Sequence, residues 1–269
     1  MQVTGHTFVV TGGGNGIGRE VVLALLERGA RVAAVDLRAD GLEETAGLAG
    51  TAAERLSRHP LDVTDAEAVA ALPEAVLAAH GQVDGLLNVA GIIQPFVRVA
   101  DLEPAVIEKV MGVNFGGTVA TVRAFLPLLL ARPAASIVNV SSMGALVPVP
   151  GQAVYGASKA AVMLFTEALY AELRGTPVAV TVVFPGGVAT HITDNSGVDA
   201  PAGADAEASA TTLTTPQDAA RQVIGGLEAG RFRVVIGRDA RMMDLLSRLS
   251  PRRATDTVAR RMASLLERP

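Results

Sequence analysis

The sequence predicts an α/β protein in which helices cover both faces of a doubly wound, parallel, seven-stranded sheet. Short apolar runs alternate with segments of helical periodicity along most of the chain, as this architecture requires. A glycine-rich turn joins the first apolar run to the first helical segment. No linker divides the 269 residues into two cores. We therefore expect a single domain at 1–237 and a helical extension at 238–269.

The same periodicities predict the individual elements. Apolar runs indicate strands at 7–10, 31–35, 55–61, 83–87, 136–140, 178–184 and 232–236. Helical periodicity indicates helices at 19–28, 40–48, 65–80, 104–130, 155–174 and 218–228, and two amphipathic helices, broken at Pro251, in the extension. Thr64 and Glu67 form a predicted capping box for the third helix. Residues 191–215 have little periodicity and follow a strand end, which predicts a flexible substrate flap.

The composition excludes several classes of protein. Hydrophobic residues make up 49% of the chain and charged residues 19%, which allows a large core. The formal net charge of −4 gives no reason to expect a nucleic-acid partner. There is no cysteine, and the four histidines lack ligand spacing, so we predict no disulfide and no metal site. We see no signal peptide and no apolar run long enough to span a bilayer, which predicts a cytoplasmic protein without stable membrane insertion.

The first strand leads directly into a glycine-rich loop. The segment from Thr11 to Gly18 has the sequence TGGGNGIG, a helical segment follows, and the second strand ends in Asp36. Strand, glycine-rich turn, helix, strand and acid is the order of a dinucleotide-binding βαβ unit. The glycines let backbone N–H groups approach a pyrophosphate at the helix N-terminus. A glycine-rich turn without that role is the less favoured interpretation.

Asp36 also indicates which dinucleotide binds. A carboxylate at the end of this strand accepts hydrogen bonds from ribose hydroxyls and repels a 2′-phosphate. Asn15 in the loop is not basic, which agrees. We predict NAD as the cofactor, with NADP possible because Arg38 could bind a phosphate instead of being a solvated charge. Asp62, at the end of the third strand, could lie at the adenine edge.

Tyr155 and Lys159 are a candidate acid–base pair. The chain has only two tyrosines and two lysines, and one of each falls in Tyr155-x-x-x-Lys159, where a helix places them one turn apart. A neighbouring cation lowers the pKa of a phenol towards neutrality, which would let Tyr155 donate and accept a proton. Ser142, at the carboxyl end of the fifth strand, could bind the atom whose proton moves. Taken alone, the pair could also be a helix surface contact.

Asn114 lies in the long helix predicted at 104–130, among Gly112, Gly116 and Gly117. A glycine inside a helix costs about 1 kcal/mol relative to alanine, so this cluster needs a reason. Close packing of the helix against a cofactor is one explanation, and contact with another helix alone is the other.

Together these residues resemble the short-chain dehydrogenase/reductase family, of the short single-domain type. The resemblance covers about residues 7–236 and rests on Thr11-Gly12-x-x-x-Gly16-x-Gly18, Asn88-x-Ala90-Gly91, Asn114, Ser142, Tyr155-x-x-x-Lys159 and Pro185-Gly186. It implies a Rossmann-like fold with strand order 3-2-1-4-5-6-7 and a homotetramer or dimer. Val89 replaces the family's second asparagine, so packing would have to replace one hydrogen bond.

The resemblance also implies roles for single residues. Tyr155 would be the general acid/base, and Lys159 would lower its pKa and hold the nicotinamide ribose. Ser142 would bind the substrate oxygen, and Asn114 would hold a water in a proton relay. The cofactor would be contacted by loop residues Gly12, Asn15, Gly16, Ile17 and Gly18, by Asp36 at the adenosine ribose, by Asp62 and Val63 at the adenine, and by Asn88, Ala90, Gly91, Tyr155, Lys159, Pro185, Gly186, Val188 and Thr190 along the cleft.

These assignments predict an enzyme that interconverts a secondary alcohol and a ketone by hydride transfer to or from NAD(P). An apolar substrate is expected, because the residues predicted to surround it are largely apolar: Ile92, Phe96, Met143, Val147, Val149 and the flap at 191–215. A catalytically silent NAD(P)-binding regulatory protein of the same fold is the alternative. The arginine-rich extension is expected to pack on the domain or on a neighbouring subunit, in preference to a membrane surface.

Overall fold

The computed structural model describes residues 1–190, 192–198 and 213–263, and these form the predicted sheet. The strands pair in the order β3-β2-β1-β4-β5-β6-β7, and every neighbouring pair is parallel. Their bounds are β1 Thr7–Thr11, β2 Arg31–Asp36, β3 Leu56–Pro60, β4 Gly85–Asn88, β5 Ala135–Val140, β6 Val178–Pro185 and β7 Arg233–Ile236. The predicted fold class and strand order are confirmed.

The helices lie close to their predicted positions. They are α1 Gly16–Glu27, α2 Ala39–Ala49, α3 Ala66–His80, α4 Pro104–Met111, α5 Gly117–Leu130, α6 Ala153–Glu172, α7 Ile192–Ser196, α8 Pro216–Glu228, α9 Arg238–Leu249 and α10 Pro251–Arg261. A π-helical segment, Gly112–Gly116, joins α4 to α5, and 3-10 turns occur at Gly50–Arg55, Val99–Asp101 and Met143–Ala145. Of the predicted flap at 191–215, His191 and 199–212 lie outside the described residues.

Local signals in the sequence explain several helix starts. The Asn15 side chain accepts the backbone N–H of Gly16 at the start of α1. The Thr215 side chain accepts the N–H of Asp218 at the start of α8. Proline occupies the first turn of α4, α8 and α10, where its missing N–H costs nothing.

The predicted capping box of α3 is wrong. Asp65, one residue after Thr64, is the N-cap, and its Oδ1 accepts the N–H groups of Glu67 and Ala68 at 3.0 Å each. The Thr64 hydroxyl instead donates to Asp62 Oδ1 at 2.8 Å. Because the hydroxyl of Thr64 is engaged by the preceding turn, the helix starts one residue later than the motif suggests.

The sheet is buried on both faces, as expected for parallel strands covered by helices. On one face α1 and α8 pack together over the sheet, and the largest buried side chains there include Phe8, Leu25, Leu26, Ile224 and Leu227. On the other face α3, α5 and α6 cover the sheet around Leu86, Phe125, Leu129 and Ile137. Two apolar layers therefore hold the carboxyl edge of the sheet, where the candidate site lies.

The helical run Pro104–Leu130 has a π-helical segment at its centre. A Cβ added at Gly117 would lie 2.6 Å from the Val63 side chain, so this glycine allows the helix to approach the segment after β3 closely. The run is, among the described residues, the one helix long and apolar enough to cross a membrane by length and composition. Here its side chains Val122 and Phe125 are buried in the core of the fold. Core helices of α/β proteins meet the same length and composition criteria.

The two C-terminal helices form a third apolar cluster on the domain. Met243 of α9 and Ala254 and Val258 of α10 pack with Val147, and Met143, Leu146, Val149, Leu246 and Met262 border them. The extension therefore covers the segment that follows Ser142 in the chain. Its packing on the domain agrees with the expectation from the sequence.

One polar cluster near the sheet edge predicts acid sensitivity. The Nε2 atoms of His59 and His80 lie 2.7 and 2.8 Å from the Ser57 hydroxyl. Burial lowers the pKa of both imidazoles, with His80 lowering that of His59 and Arg31 lowering that of His80. The two imidazoles therefore bind protons less readily in the folded state than in the unfolded state. Their contribution to stability is fully present above the pKa of an unfolded histidine, about 6.5, and is lost as the pH falls below that value.

We expect the thermal midpoint to be lower at about pH 5 than at neutral pH, and His80→Gln to reduce that difference. His6→Gln is the control, because His6 lies outside this cluster and contacts the Thr4 carbonyl. Differential scanning calorimetry at the two pH values measures both variants. An unchanged pH dependence in His80→Gln would contradict the assignment.

Candidate active site

A cavity of about 700 Å³ opens at the carboxyl ends of the strands. Its wall contains most of the catalytic and cofactor-binding residues predicted from the sequence. They are Gly12, Asn15, Gly16, Ile17, Gly18, Asp36, Asp62, Val63, Ala90, Gly91, Ser142, Tyr155, Lys159, Pro185, Gly186, Val188 and Thr190. Asn88 and Asn114 are buried behind the wall. The topology thus brings together residues that are up to about 180 positions apart in the chain, as expected at the edge of a doubly wound sheet.

Two glycines keep the loop after β1 tight against its neighbours. Gly12 has φ 73°, and a Cβ there would lie 2.9 Å from the Cα of Ala90. A Cβ at Gly18 would lie 2.0 Å from the Gly12 carbonyl oxygen. The loop consequently lies directly against the first turn of α1, whose N-terminal position and dipole favour an anion.

Asp36 is fixed at the end of β2 by the loop. Its Oδ2 accepts the N–H of Gly14 at 2.9 Å, and its Oδ1 accepts the N–H of Arg38 at 3.0 Å. The Arg38 side chain is half-exposed, with Nε 3.5 Å from Asp40 Oδ1. A carboxylate therefore forms this part of the wall, and the nearby guanidinium already has an acidic neighbour.

The opposite wall runs from Pro185 to Thr190, and Asp239 of α9 supports it. Asp239 Oδ2 accepts the N–H of Gly187 at 3.0 Å. A Cβ at Gly186 would lie 2.5 Å from Asp239 Oδ1, so glycine is required for this contact. Sequence reasoning did not identify Asp239. Its only signal is an acid in the first turn of the helix after β7.

Tyr155 lies in the first turn of α6, and its hydroxyl forms a hydrogen bond with that of Ser142. Ser142 is the N-cap of the Met143–Ala145 turn, and its Oγ accepts the N–H of Gly144 at 3.0 Å. Burial raises the pKa of the Tyr155 phenol above its ordinary value, and the hydrogen bond with Ser142 lowers it by less. The two hydroxyls thus lie together on the cavity wall.

Lys159 follows one helical turn later and is 4% exposed. Its Nζ donates to the Val140 carbonyl at 3.1 Å, and burial lowers the pKa of the ammonium to about 8. A Cβ at Gly91 would lie 2.9 Å from this Nζ, so the glycine leaves room for it. The expected lowering of the Tyr155 pKa is not observed, because desolvation of the phenolate outweighs the other effects on that group.

Asn114 lies in the π-helical segment and is fully buried. Its side-chain oxygen accepts the N–H of Ile92 at 2.8 Å, and its amide donates to the Ile92 carbonyl at 3.0 Å and to the Ser158 hydroxyl at 2.9 Å. Ser158 in turn donates to the Tyr155 carbonyl at 2.7 Å. Asn114 therefore connects the segment after β4 to the first turn of α6.

Asn88 does not line the cavity as predicted. Its amide donates to Asn139 at 2.9 Å, and its oxygen accepts the Thr121 hydroxyl at 2.8 Å. This network takes both ends of the side chain away from the wall. Val89, which replaces the family's second asparagine, packs against the core, and its backbone N–H is held by the Thr11 hydroxyl at 3.1 Å.

The predicted substrate-binding residues are only partly correct. Ile92 lines the cavity, and Ile93 and Ile192 join it there. Met143, Val147 and Val149 instead belong to the cluster with α9 and α10, and Phe96 is half-buried outside the wall. The sequence pattern marks these positions as apolar, but whether they face a ligand or the C-terminal helices depends on packing distant in the chain.

Sequence reasoning also missed three polar contacts around the cavity. The buried Gln94 side chain accepts the backbone N–H of Tyr155 at 3.0 Å. In α7, Asn195 accepts the side-chain N–H of Asn15 at 3.0 Å, and Ser196 accepts the N–H of Ile93 at 3.0 Å. The described part of the flap therefore contacts both the glycine-rich loop and the segment after β4.

The residues present fit a dinucleotide. The loop around Gly12 and Gly18 forms a cradle that added Cβ atoms would fill, and it lies at a helix N-terminus suited to a pyrophosphate. A carboxylate at the end of β2 suits a ribose. The cavity volume of about 700 Å³ falls in the range of cofactor and ligand sites.

Comparison with known proteins agrees with this geometry. The sequence profile described as short chain dehydrogenase matches residues 6–200. SadH of Mycobacterium tuberculosis is 39% identical over 256 residues, which covers 91% of each chain. A short-chain dehydrogenase/reductase from Burkholderia phymatum, solved with NAD, has a TM-score of 0.83 at 26% identity and covers 95% of this chain and 97% of its own.

A second solved structure, a short-chain dehydrogenase from Burkholderia cenocepacia, contains NADP. It has a TM-score of 0.78 at 30% identity and covers 97% of this chain and 99% of its own. Similar structures thus hold either nicotinamide dinucleotide. The sequence match and the shared fold lead to one conclusion: this chain belongs to the short-chain dehydrogenase family of oxidoreductases.

Proposed function

We propose that the chain is an NAD-dependent dehydrogenase that interconverts a secondary alcohol and a ketone, with Tyr155 as the general acid/base. The observation that carries the proposal is the position of Tyr155, Ser142 and Lys159 on the wall of one cavity, together with a tight glycine-rich loop. Membership of the short-chain dehydrogenase family supports the reaction class. The four proposed catalytic positions, Asn114, Ser142, Tyr155 and Lys159, all carry side chains that can perform the chemistry. This argues against the catalytically silent alternative.

The protein residues divide the proton chemistry among them. When bound, the nicotinamide cofactor supplies the hydride acceptor or donor. As the phenolate, Tyr155 takes the proton of the alcohol during oxidation, and as the phenol it returns the proton during reduction. The Ser142 hydroxyl, hydrogen-bonded to Tyr155, orients the same substrate oxygen.

Lys159 supplies the positive charge of the site. Its ammonium is largely protonated below about pH 8, and this charge favours a phenolate one helical turn away. It also provides N–H donors for the cofactor ribose. Asn114, linked through Ser158 to the first turn of α6, is the proposed relay residue.

Asp36 should make the protein prefer NADH to NADPH. Its carboxylate repels a 2′-phosphate, so we expect NADH to bind at least about tenfold more tightly. Asp36→Ser should remove most of that preference, and Asp40→Ser, which alters the exposed neighbour of Arg38, should retain it. Fluorescence titration with the two reduced cofactors measures the ratio. Tighter binding of NADPH by the unmodified protein would contradict the prediction.

The substrate is proposed to be an apolar secondary alcohol, because Ile92, Ile93 and Ile192 line the cavity. A panel of secondary alcohols of increasing apolar size, incubated with NAD and followed by NADH absorbance, tests the function. Turnover that rises with apolar size supports the proposal. Tight NADH binding without turnover of any member would favour the silent NAD(P)-binding alternative. The proposal includes a cytoplasmic homo-oligomer, which cell fractionation and sedimentation velocity can examine.

A further inference from the structure

We propose that the outer face of the C-terminal helices docks onto a membrane surface that contains anionic lipid. The apolar part of this face is the α9 stripe, formed by Met242, Leu245 and Leu249, which are 52%, 59% and 76% exposed. Their spacing places them on one side of the helix. The other side of α9 carries Ala240 and Met243, which are buried against the domain. The helix is therefore apolar on two sides, and the core uses only one of them.

Positive charge accompanies the α9 stripe. Residues 238–269 contain eight arginines and four acids, whereas the whole chain has a net charge of −4. Asp244 offsets only part of this charge, because its Oδ1 is shared between Arg248 of α9 and Arg233 of β7. Further arginines are exposed along α9 and α10: Arg238, Arg241, Arg252, Arg253, Arg260 and Arg261.

An anionic lipid surface matches both properties. Apolar side chains of an interfacial helix enter the boundary of the acyl region, and arginines beside them pair with lipid headgroups. A second copy of the chain fits less well, because a symmetric contact would bring two arginine-rich faces together. The charge that attracts an anionic surface thus opposes self-association through the same face.

Co-sedimentation of the full chain with lipid vesicles tests this docking. We expect binding to phosphatidylcholine vesicles that contain phosphatidylglycerol, little binding to phosphatidylcholine alone, and a steep loss of binding with added salt. The double variant Leu245→Ser/Leu249→Ser should reduce the binding about tenfold or more, because it removes two apolar side chains from the stripe. Leu48→Ser is the matched control, since Leu48 is 59% exposed on α2.

The measurement needs no turnover, so its result is independent of the proposed dehydrogenase activity. Equal binding to both vesicle types, or none, would overturn the proposal. A loss of subunit association in the double variant, seen by sedimentation velocity, would also overturn it, because the α9 stripe would then be a contact between copies of the chain.

A separate observation concerns Gln94, and we infer that this residue positions Tyr155. Gln94 is 1% exposed, and its Oε1 accepts the N–H groups of Val154 and Tyr155 at 2.7 and 3.0 Å. Its Nε2 donates to the Gly151 carbonyl at 2.9 Å. The Gln94 carbonyl accepts the Gln152 side-chain amide at 2.7 Å. Four hydrogen bonds thus join Gln94 to the segment that begins α6.

This contact replaces the local cap that α6 lacks. No side chain at the N-cap of α6 accepts a hydrogen bond from its first turn, so Gln94 supplies the acceptor from the segment after β4. That segment also lines the cavity through Ile92 and Ile93. Gln94 therefore fixes the position of Tyr155 relative to Ile92 and Ile93 on the cavity wall. Its importance for turnover rests on the proposed function.

Two substitutions distinguish positioning from a purely structural role. Gln94→Glu keeps the acceptor for both N–H groups, loses the donor to the Gly151 carbonyl and adds a negative charge beside Tyr155, so the phenol should titrate about one pH unit higher. Gln94→Leu removes the acceptor and should lower kcat about tenfold with little change in the KM for the cofactor. The other charged groups on the cavity wall stay unchanged: Lys159 on α6, Glu108 and Lys109 on α4, Asp36 at the end of β2, Arg38 after β2 and Asp62 after β3.

Ultraviolet absorbance follows the phenol directly, because the chain has two tyrosines and no tryptophan. Tyr155→Phe identifies which transition belongs to Tyr155. A titration of Tyr155 in Gln94→Glu that coincides with that of the unmodified protein would overturn the inference. Since this titration does not require activity, it separates failure of the inference from failure of the proposed function.

Discussion

Replacing Tyr155 with phenylalanine is expected to lower kcat for alcohol oxidation by about 10²–10⁴-fold, the usual range for loss of a general acid/base. The substitution removes the one oxygen that contacts the Ser142 hydroxyl and leaves the ring in place. Because a phenyl ring fills nearly the same volume, the fold and the glycine-rich loop should be unaffected. The Kd for NADH should therefore change little. Stopped-flow or steady-state NADH absorbance and a fluorescence titration measure the two quantities.

The chain contains a matched control for this experiment. Tyr170, the second tyrosine, lies two-fifths exposed near the other end of α6, with its ring 4.4 Å from that of Phe232. Tyr170→Phe removes the same atom outside the cavity and should leave kcat unchanged. A Tyr155→Phe enzyme that retains full kcat would show that another group moves the proton. Equal losses in both variants would point to a general effect on folding.

The parts of the fold that the sequence predicts best are those set by local periodicity. The strand ending in Asp36 and the helix beginning with Tyr155 are continuous patterns, and the parallel direction of the strands follows from the helical connections between them. The strand order comes from the family resemblance. The cavity wall is predictable for the same reason, since loops at the carboxyl ends of neighbouring strands must meet. Motif positions such as Gly12 and Ser142 therefore lie at the wall where the sequence predicts them.

The errors arise where a side chain has two possible neighbours. Asn88 ends a strand at the site, but its amide is within reach of Asn139 and Thr121, and these buried partners take it. Val147 follows Ser142 closely, yet it packs against Met243, about a hundred residues later in the chain. Contacts of this kind depend on the path of distant elements, which periodicity does not encode.

The pKa of Tyr155 illustrates the same limit in electrostatics. Spacing predicts that Lys159 lies one turn away, and it does, but spacing does not predict how deeply both groups are buried. Desolvation raises the pKa of the phenol and lowers that of the ammonium, which are opposite consequences of one environment. The sequence identifies the pair, and only the packing around it determines the direction of each shift.

Replacing Gly18 with alanine is expected to weaken NADH binding by about 10²-fold or more, equivalent to roughly 2.7 kcal/mol. The added Cβ would lie 2.0 Å from the Gly12 carbonyl oxygen and 2.6 Å from its carbon. Neither backbone atom can move without opening the loop, because Gly12 itself lies against Ala90. The cradle at the start of α1 should therefore be displaced while the distant core is retained. Isothermal titration calorimetry with NADH measures the loss.

Gly47→Ala is the control, since it makes the same change where nothing lies within 4 Å of the added Cβ. This residue is inside α2, so alanine should increase the free energy of unfolding by up to about 1 kcal/mol and raise the thermal midpoint slightly. NADH binding should be unaffected. Circular dichroism shows whether each variant is folded. If Gly18→Ala is folded and binds NADH as tightly as the control, the loop cannot be the pyrophosphate site. The cofactor must then bind to another part of the cavity wall.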